Sequence, residues 1–89
     1  MKVQHDKENQ RFTMDINGDT AQVIYKMDNG KMYLTYYEVP SHLRGKGHGK
    51  KLVEKTFAKL TEEGYTAVAV CAYIKAVARR SEKWNSIIE

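Results

Sequence analysis

Apolar residues recur at every second position through the first part of the chain. Residues 11–16, RFTMDI, alternate Phe12, Met14 and Ile16 with polar neighbours, the period of a strand with one buried face. Asn17-Gly18 follows, a pair suited to the positive φ angles of a tight hairpin turn. Ala21, Val23, Tyr25 and Met27 then alternate with Gln22, Ile24 and Lys26, and Asp28-Asn29-Gly30-Lys31 supplies a second turn. A third run, KMYLTYYEV, ends at Pro40, which has no N–H to give a ladder. The pattern predicts an antiparallel meander of three strands, with a further short strand at residues 2–5.

Beyond Pro40 the period lengthens. Gly49, Leu52, Val53, Thr56, Phe57 and Leu60 fall on one helical stripe, and Gly64 sits where a helix C-terminus favours glycine. The valine-rich run YTAVAVC at 65–71 reads as a buried strand. Because a helix separates it from the third strand, the two should pair in parallel. Ile74, Val77, Ala78, Ser81, Trp84 and Ile88 mark a single amphipathic C-terminal helix. The predicted class is α+β, in the order β-β-β-α-β-α, with the antiparallel meander extended to four strands if residues 2–5 join it.

Composition narrows this further. The 89 residues are 42% hydrophobic and 29% charged, the balance of a soluble chain forming one domain over 1–89. No apolar run approaches the ~20 residues of a membrane span, and residues 1–10 lack the apolar core of a secretory signal, so the expected compartment is the cytoplasm. Cys71 is the only cysteine, which excludes an internal disulfide and a cysteine-clustered zinc site. His5, His42 and His48 show no ligand spacing, so no metal is expected. The net charge is +4, yet residues 44–59 alone carry six basic side chains against Glu54, a local +5. That patch reads either as an anion site or as a solvated lysine face.

The loop that opens this segment decides between the two. Arg44-Gly45-Lys46-Gly47-His48-Gly49 lies between a predicted strand and a predicted helix. An R-G-x-G-x-G string arises by chance about once in a thousand chains of this length at ~7% glycine. Amides unshielded by side chains, opening onto a helix N-terminus, form a concavity for phosphate oxygens. The alternative is a tight strand-to-helix turn and nothing more. The spacing fits neither a Walker loop nor a dinucleotide fingerprint.

With Val39-Pro40 ahead of it, this segment resembles the acetyl-coenzyme-A loop of the GNAT N-acetyltransferases, whose signature is [RQ]-x-x-G-x-[GA]. The chain is similar to the very small single-domain GNAT-like proteins, most strongly over 38–53 and again around Cys71-Ala72-Tyr73-Ile74. The resemblance implies acetyl-CoA as cofactor, its pyrophosphate on the amides of Arg44 through Gly49, and its pantetheine between the third strand and residues 66–71. It further implies that the Val39 N–H contacts the acyl carbonyl or pantetheine. The chain departs from the subgroup in carrying Tyr36-Tyr37 for His-Thr before Glu38, and Ala72 for a proline after the cysteine. It also has Val77 and Ser81-Glu82 where a tyrosine and His-Pro are usual.

Amine acetylation needs a neutral acceptor, a polarised thioester carbonyl and a proton for the leaving thiolate. Glu38, at the strand end, is either the acceptor of the amine's proton or a solvated glutamate. Cys71 is either buried packing, a transient acyl acceptor or the lining of an acyl pocket. Tyr73 is either a proton donor to the thiolate or a rim aromatic. Arg44 is placed to fork two phosphate oxygens, Lys46, Lys50 and Lys51 add less directional charge, and His48 meets phosphate or solvent. The expected function is transfer of acetyl from acetyl-CoA to a small amine or an exposed protein amine. The alternative is a non-catalytic acyl-CoA binding or sensing module. A nucleic-acid binder is disfavoured, because the basic helix face carries no aromatic side chain.

Overall fold

A computed structural model describes residues 2–89. Strands β1 (Val3–Asp6), β2 (Arg11–Ile16), β3 (Asp19–Asp28) and β4 (Lys31–Glu38) form the antiparallel meander, and residues 2–5 do supply most of a fourth strand. The two-residue turns behave as their sequences dictate: Asn17 and Asn29 take φ of 52° and 50°, and Ile16 faces Asp19 as Asp28 faces Lys31. A 3₁₀ turn (Ser41–Leu43) leads to helix α1 (His48–Glu62). Strand β5 (Thr66–Ala69) then pairs parallel to β4, giving the sheet order β1-β2-β3-β4-β5. At the end of α1, Gly64 N–H donates to Thr61 O and Tyr65 N–H to Leu60 O, a Schellman closure that satisfies two terminal carbonyls.

The C-terminal stripe is carried by two helices, α2 (Ala72–Arg79) and α3 (Glu82–Ile87), where the periodicity predicts one. The break has a local cause. Ser81 leaves the helical region and its Oγ accepts from the Trp84 N–H at 3.2 Å, an N-cap with Glu82 in the first turn behind it. Trp84 and Ile88 keep their places on the buried side across this break.

Only one face of the sheet is deeply buried. Phe12, Met14, Ile16, Val23, Tyr25, Met32, Leu34, Ala67 and Ala69 point to it, against Leu52, Val53, Phe57 and Leu60 of α1, Ile74 and Ala78 of α2, and Trp84 of α3. The opposite face stays open to solvent. At one end, the imidazole of His5 ties β1 down. Its Nδ1 is 2.6 Å from Glu63 Oε1 after α1, its Nε2 is 2.6 Å from the Tyr25 hydroxyl, and its ring stacks on Phe12. At the outer edge of β5, Glu89 N–H donates to Ala67 O and Ala69 N–H to Glu89 O, with Lys31 paired to the Glu89 carboxylate at 2.8 Å.

The β3–β4 ladder contains one irregularity. Ile24 faces Tyr36 while Tyr25 faces Leu34, so Thr35 is an extra residue, a β-bulge whose hydroxyl donates to Ile24 O. The bulge turns Tyr37, opposite Val23, toward the helices and leaves Tyr36 51% exposed on the open face. Pairing of β4 with β5 ends at the same place. Leu34↔Ala69 is the last register pair, and Leu34 O accepts from both Val70 N–H (3.0 Å) and Cys71 N–H (3.1 Å). Past Leu34 no strand among the described residues pairs with that edge of β4, and the two strands part there in a wedge.

The helix layer rests on Phe57, fully buried with its ring 5.6 Å from that of Trp84. Replacing Phe57 by alanine should cost about 3–5 kcal/mol of stability. Urea unfolding followed through Trp84 fluorescence measures it, and a loss under about 1 kcal/mol would contradict this packing.

Candidate functional site

Where β4 ends, the chain makes the turn that builds the site. Val39 is buried, and its carbonyl accepts from Arg44 Nε at 3.2 Å. This bond folds the arginine back across the loop and leaves its two terminal nitrogens for another partner. Gly45 and Gly47 have φ of 80° and 78°, and Gly47 is the N-cap of α1. A residue with a Cβ would be strained at either position. No acidic residue occupies the first turn of α1, so the helix dipole and the amides stand uncompensated there.

Gly49 matters for a different reason. A Cβ built on it would lie 3.1 Å from the Tyr73 hydroxyl and 3.3 Å from Tyr37 Cε2. Tyr73, in the first turn of α2, stacks on Tyr37 with centroids 4.2 Å apart and planes 17° from parallel. The pair lies over the start of α1, where a side chain at position 49 would crowd both rings. Burial, then the neighbouring Tyr37, raises the Tyr73 phenol above its ordinary value, so the hydroxyl keeps its proton at neutral pH.

A cleft of about 330 Å³ results, lined by Tyr37, Val39, Arg44, Gly45, Gly47, Gly49 and Tyr73. It lies at the low end of the size range of small-molecule sites. The cleft therefore gathers six of the residues singled out in the sequence, together with Tyr37. Tyr37 entered that reading only as a departure, since no residue type announces the bulge that reorients it. Lys46, Lys50 and Lys51 are exposed around the loop and do not line the cleft. His48 opens α1 half-buried, with its Nδ1 buried and unpartnered among the described residues.

The two remaining candidates stand elsewhere. Glu38 is exposed on the open face of the sheet, where Gln22 Nε2 donates to its Oε1 at 3.0 Å. Cys71 is half-buried at the N-cap of α2, packed against the core, and its thiol makes no cap bond. It follows directly on the wedge, through its N–H on Leu34 O.

Among the described residues, no group of three or more His, Cys, Asp or Glu could hold a metal ion, and no helix is long and apolar enough to cross a membrane. A family model described as GCN5-related N-acetyl-transferase matches residues 11–87, nearly the whole chain. None of the curated proteins matches it.

The raised phenol can be checked directly. Burial also raises the Tyr25 phenol, so spectrophotometric titration of Tyr73→Phe should show one fewer tyrosine ionising above the usual value of about 10 than the parent. Because the folded state holds this proton more tightly than the unfolded one, Tyr73 makes stability fall as pH rises past that value, and Tyr73→Phe should fall less steeply. Loss of a phenol titrating at or below the ordinary value would contradict the burial described.

Proposed function

The chain belongs to the GCN5-related N-acetyltransferase family, and we propose that it binds acetyl-CoA in the wedge and cleft at the end of β4 and passes the acetyl group to an amine. The observation that carries this reading is the cleft itself. It joins a glycine loop at a helix N-terminus to an unpaired strand edge, which suits a ligand that is a pyrophosphate at one point and an amide-bearing arm at the next. The Gly45 and Gly47 amides and the N-terminus of α1 receive the pyrophosphate, Arg44 supplies a fork, and Lys46, Lys50, Lys51 and His48 surround it. Gly49 leaves the space, and the Val39 N–H and the free edge of β4 hydrogen-bond the pantetheine arm.

Acetyl-CoA, when bound, supplies the thioester whose C–S bond is exchanged for a C–N bond to the amine. The chain's residues divide the proton work between the two faces of the sheet. Glu38, on the open face, takes the proton of the approaching amine. Tyr73, on the helix side, holds its proton at neutral pH and donates it to the leaving sulfur. Cys71 has its place beside the acyl end, as lining or as a transient acyl acceptor activated by the α2 N-terminus. On this reading residues 1–89 are a single acetyltransferase-like domain working in the cytoplasm. Its partners are acetyl-CoA and a small amine or an exposed protein amine, with no nucleic acid or membrane among them. The orientation of Glu38 toward Gln22, away from the cleft, favours the second reading, a non-catalytic acyl-CoA binding or sensing module.

Isothermal titration with acetyl-CoA tests the common part. Arg44→Ala should weaken binding by about 1–3 kcal/mol, the worth of a charge-assisted hydrogen bond. Gly47→Val should abolish most of it, through backbone strain at the loop. Parent-like affinity in both variants would remove the loop from the site. Mass spectrometry after incubation with acetyl-CoA then addresses Cys71. An acyl acceptor gains ~42 Da, the mass of an acetyl group replacing a hydrogen, and loses this gain in Cys71→Ala. Unmodified protein, with normal turnover of amine by Cys71→Ala, would leave Cys71 as lining only. No turnover with any amine, despite tight acetyl-CoA binding, would select the sensing module.

A further inference from the structure

The sheet begins at β1, which pairs with β2 on one side and with no strand among the described residues on the other. Alternate residues of an antiparallel edge strand direct their N–H and C=O groups outward, so β1 offers a short ladder without a partner. The other outer edge differs, because Glu89 bonds to Ala67 and Ala69 along β5. Beside β1 lies a cleft of about 630 Å³. Lys2, Val3, Gln4 and His5 all line it, although consecutive residues of a strand point to opposite faces. A cleft that touches all four follows the strand's edge and lies over neither face. Its far wall comes from the end of α1, where Lys59, Glu63 and the half-buried Tyr65 stand. It shares no wall residue with the cleft at the glycine loop.

The charge of this cleft is one-sided. Lys2, Lys7 and Lys59 line it against Glu63 alone. That carboxylate is already engaged, 2.6 Å from His5 Nδ1 and 3.8 Å from Lys59 Nζ. Lys2 and Lys7 make no ion pair among the described residues. We propose that this edge takes an acidic polypeptide segment in extended form, which joins the sheet as a strand beside β1. The outward backbone groups of β1 supply the ladder, and the lysines meet the segment's carboxylates. Tyr65 gives an apolar wall to the residues between them. The four residues of β1 span about 13 Å at ~3.3 Å each, room for a comparable stretch of partner. The seat is formed in advance, since both ring nitrogens of His5 hold the strand, one to Glu63 and one to Tyr25. Lysines near an edge also deter chance strand pairing, a role that needs no cleft beside them. The site stands apart from acetyl-CoA binding and does not depend on it.

The test titrates the full chain with an end-capped octapeptide alternating glutamate and valine, followed in ¹⁵N–¹H spectra. Shifts should gather at the amides of residues 2–7 and of Lys59, Glu63 and Tyr65, while those of 44–49 stay in place. Two control peptides separate the contributions. One carries lysine for glutamate, and the other has every backbone nitrogen methylated, which keeps the charge and removes the ladder's donors. Each should bind about tenfold or more weakly, the scale of one or two lost hydrogen bonds. Lys7 is exposed just past β1, and Lys7→Glu should weaken the acidic peptide by about fivefold, with the fold checked by far-ultraviolet circular dichroism. Equal binding of the methylated peptide would reduce the site to a charged surface and overturn the proposal. Equal binding of the lysine peptide, or no shift at millimolar acidic peptide, overturns it as well. So does a short oligonucleotide that moves these amides where the acidic peptide does not.

Discussion

Leu34 serves two structural purposes at one backbone position. Its side chain is fully buried beneath the helices, and its carbonyl accepts the N–H groups of both Val70 and Cys71. One carbonyl with two donors ends a parallel ladder, because the next residue of β5 no longer has an acceptor of its own on β4. The bulge at Thr35 bends β4 at the same level. Together they separate strands that would otherwise remain zipped, and the core residues around Leu34 hold the opening in place. The wedge is therefore a product of packing. Its free backbone groups are tolerable only because solvent or a ligand reaches them.

The electrostatics of the same end follow from what the loop omits. No carboxylate caps α1, and three glycines between Arg44 and Lys50 keep side chains away from the amides. The opposite end of the sheet is built by the contrary rule. There, His5 has both ring nitrogens engaged, Glu63 is shared with Lys59, and Phe12, Tyr25 and Tyr65 surround the imidazole. Around His5 both ring nitrogens have partners, whereas at the loop the buried Nδ1 of His48 has none among the described residues. Tyr73 and Tyr37 mark the boundary, a stacked aromatic pair packed closely over Gly49.

Much of this was legible in the sequence for local reasons. The Asn-Gly turns carry their own backbone preference, and the stripe from Leu52 to Leu60 has only one helical solution. The glycine loop announces itself by residue type, which is why Arg44, Gly45, Gly47 and Gly49 were found together. What escaped depends on register. Strict alternation from Met32 through Leu34 sends Tyr36 to the core and Tyr37 to solvent, and the bulge reverses both. Thr35 has no distinguishing signature, since the fit between β3 and β4 is decided along their whole length. Glu38 follows the same reversal and lies on the open face. The division of the last helix had a local signal in Ser81-Glu82, an N-cap with an acid behind it, but the apolar stripe runs unbroken across it and conceals the stop.

The proposed function requires the wedge past Leu34 and the loop before α1 to act as one binding surface. Two-dimensional ¹⁵N–¹H spectroscopy with acetyl-CoA as titrant reports on both at once, residue by residue. Shifts are expected at the amides of residues 36–39, 44–51 and 70–73, with those of His5, Tyr25 and Glu63 unmoved at the far end. Shifts confined to the lysine-bearing face of α1, or none at millimolar acetyl-CoA, would contradict it.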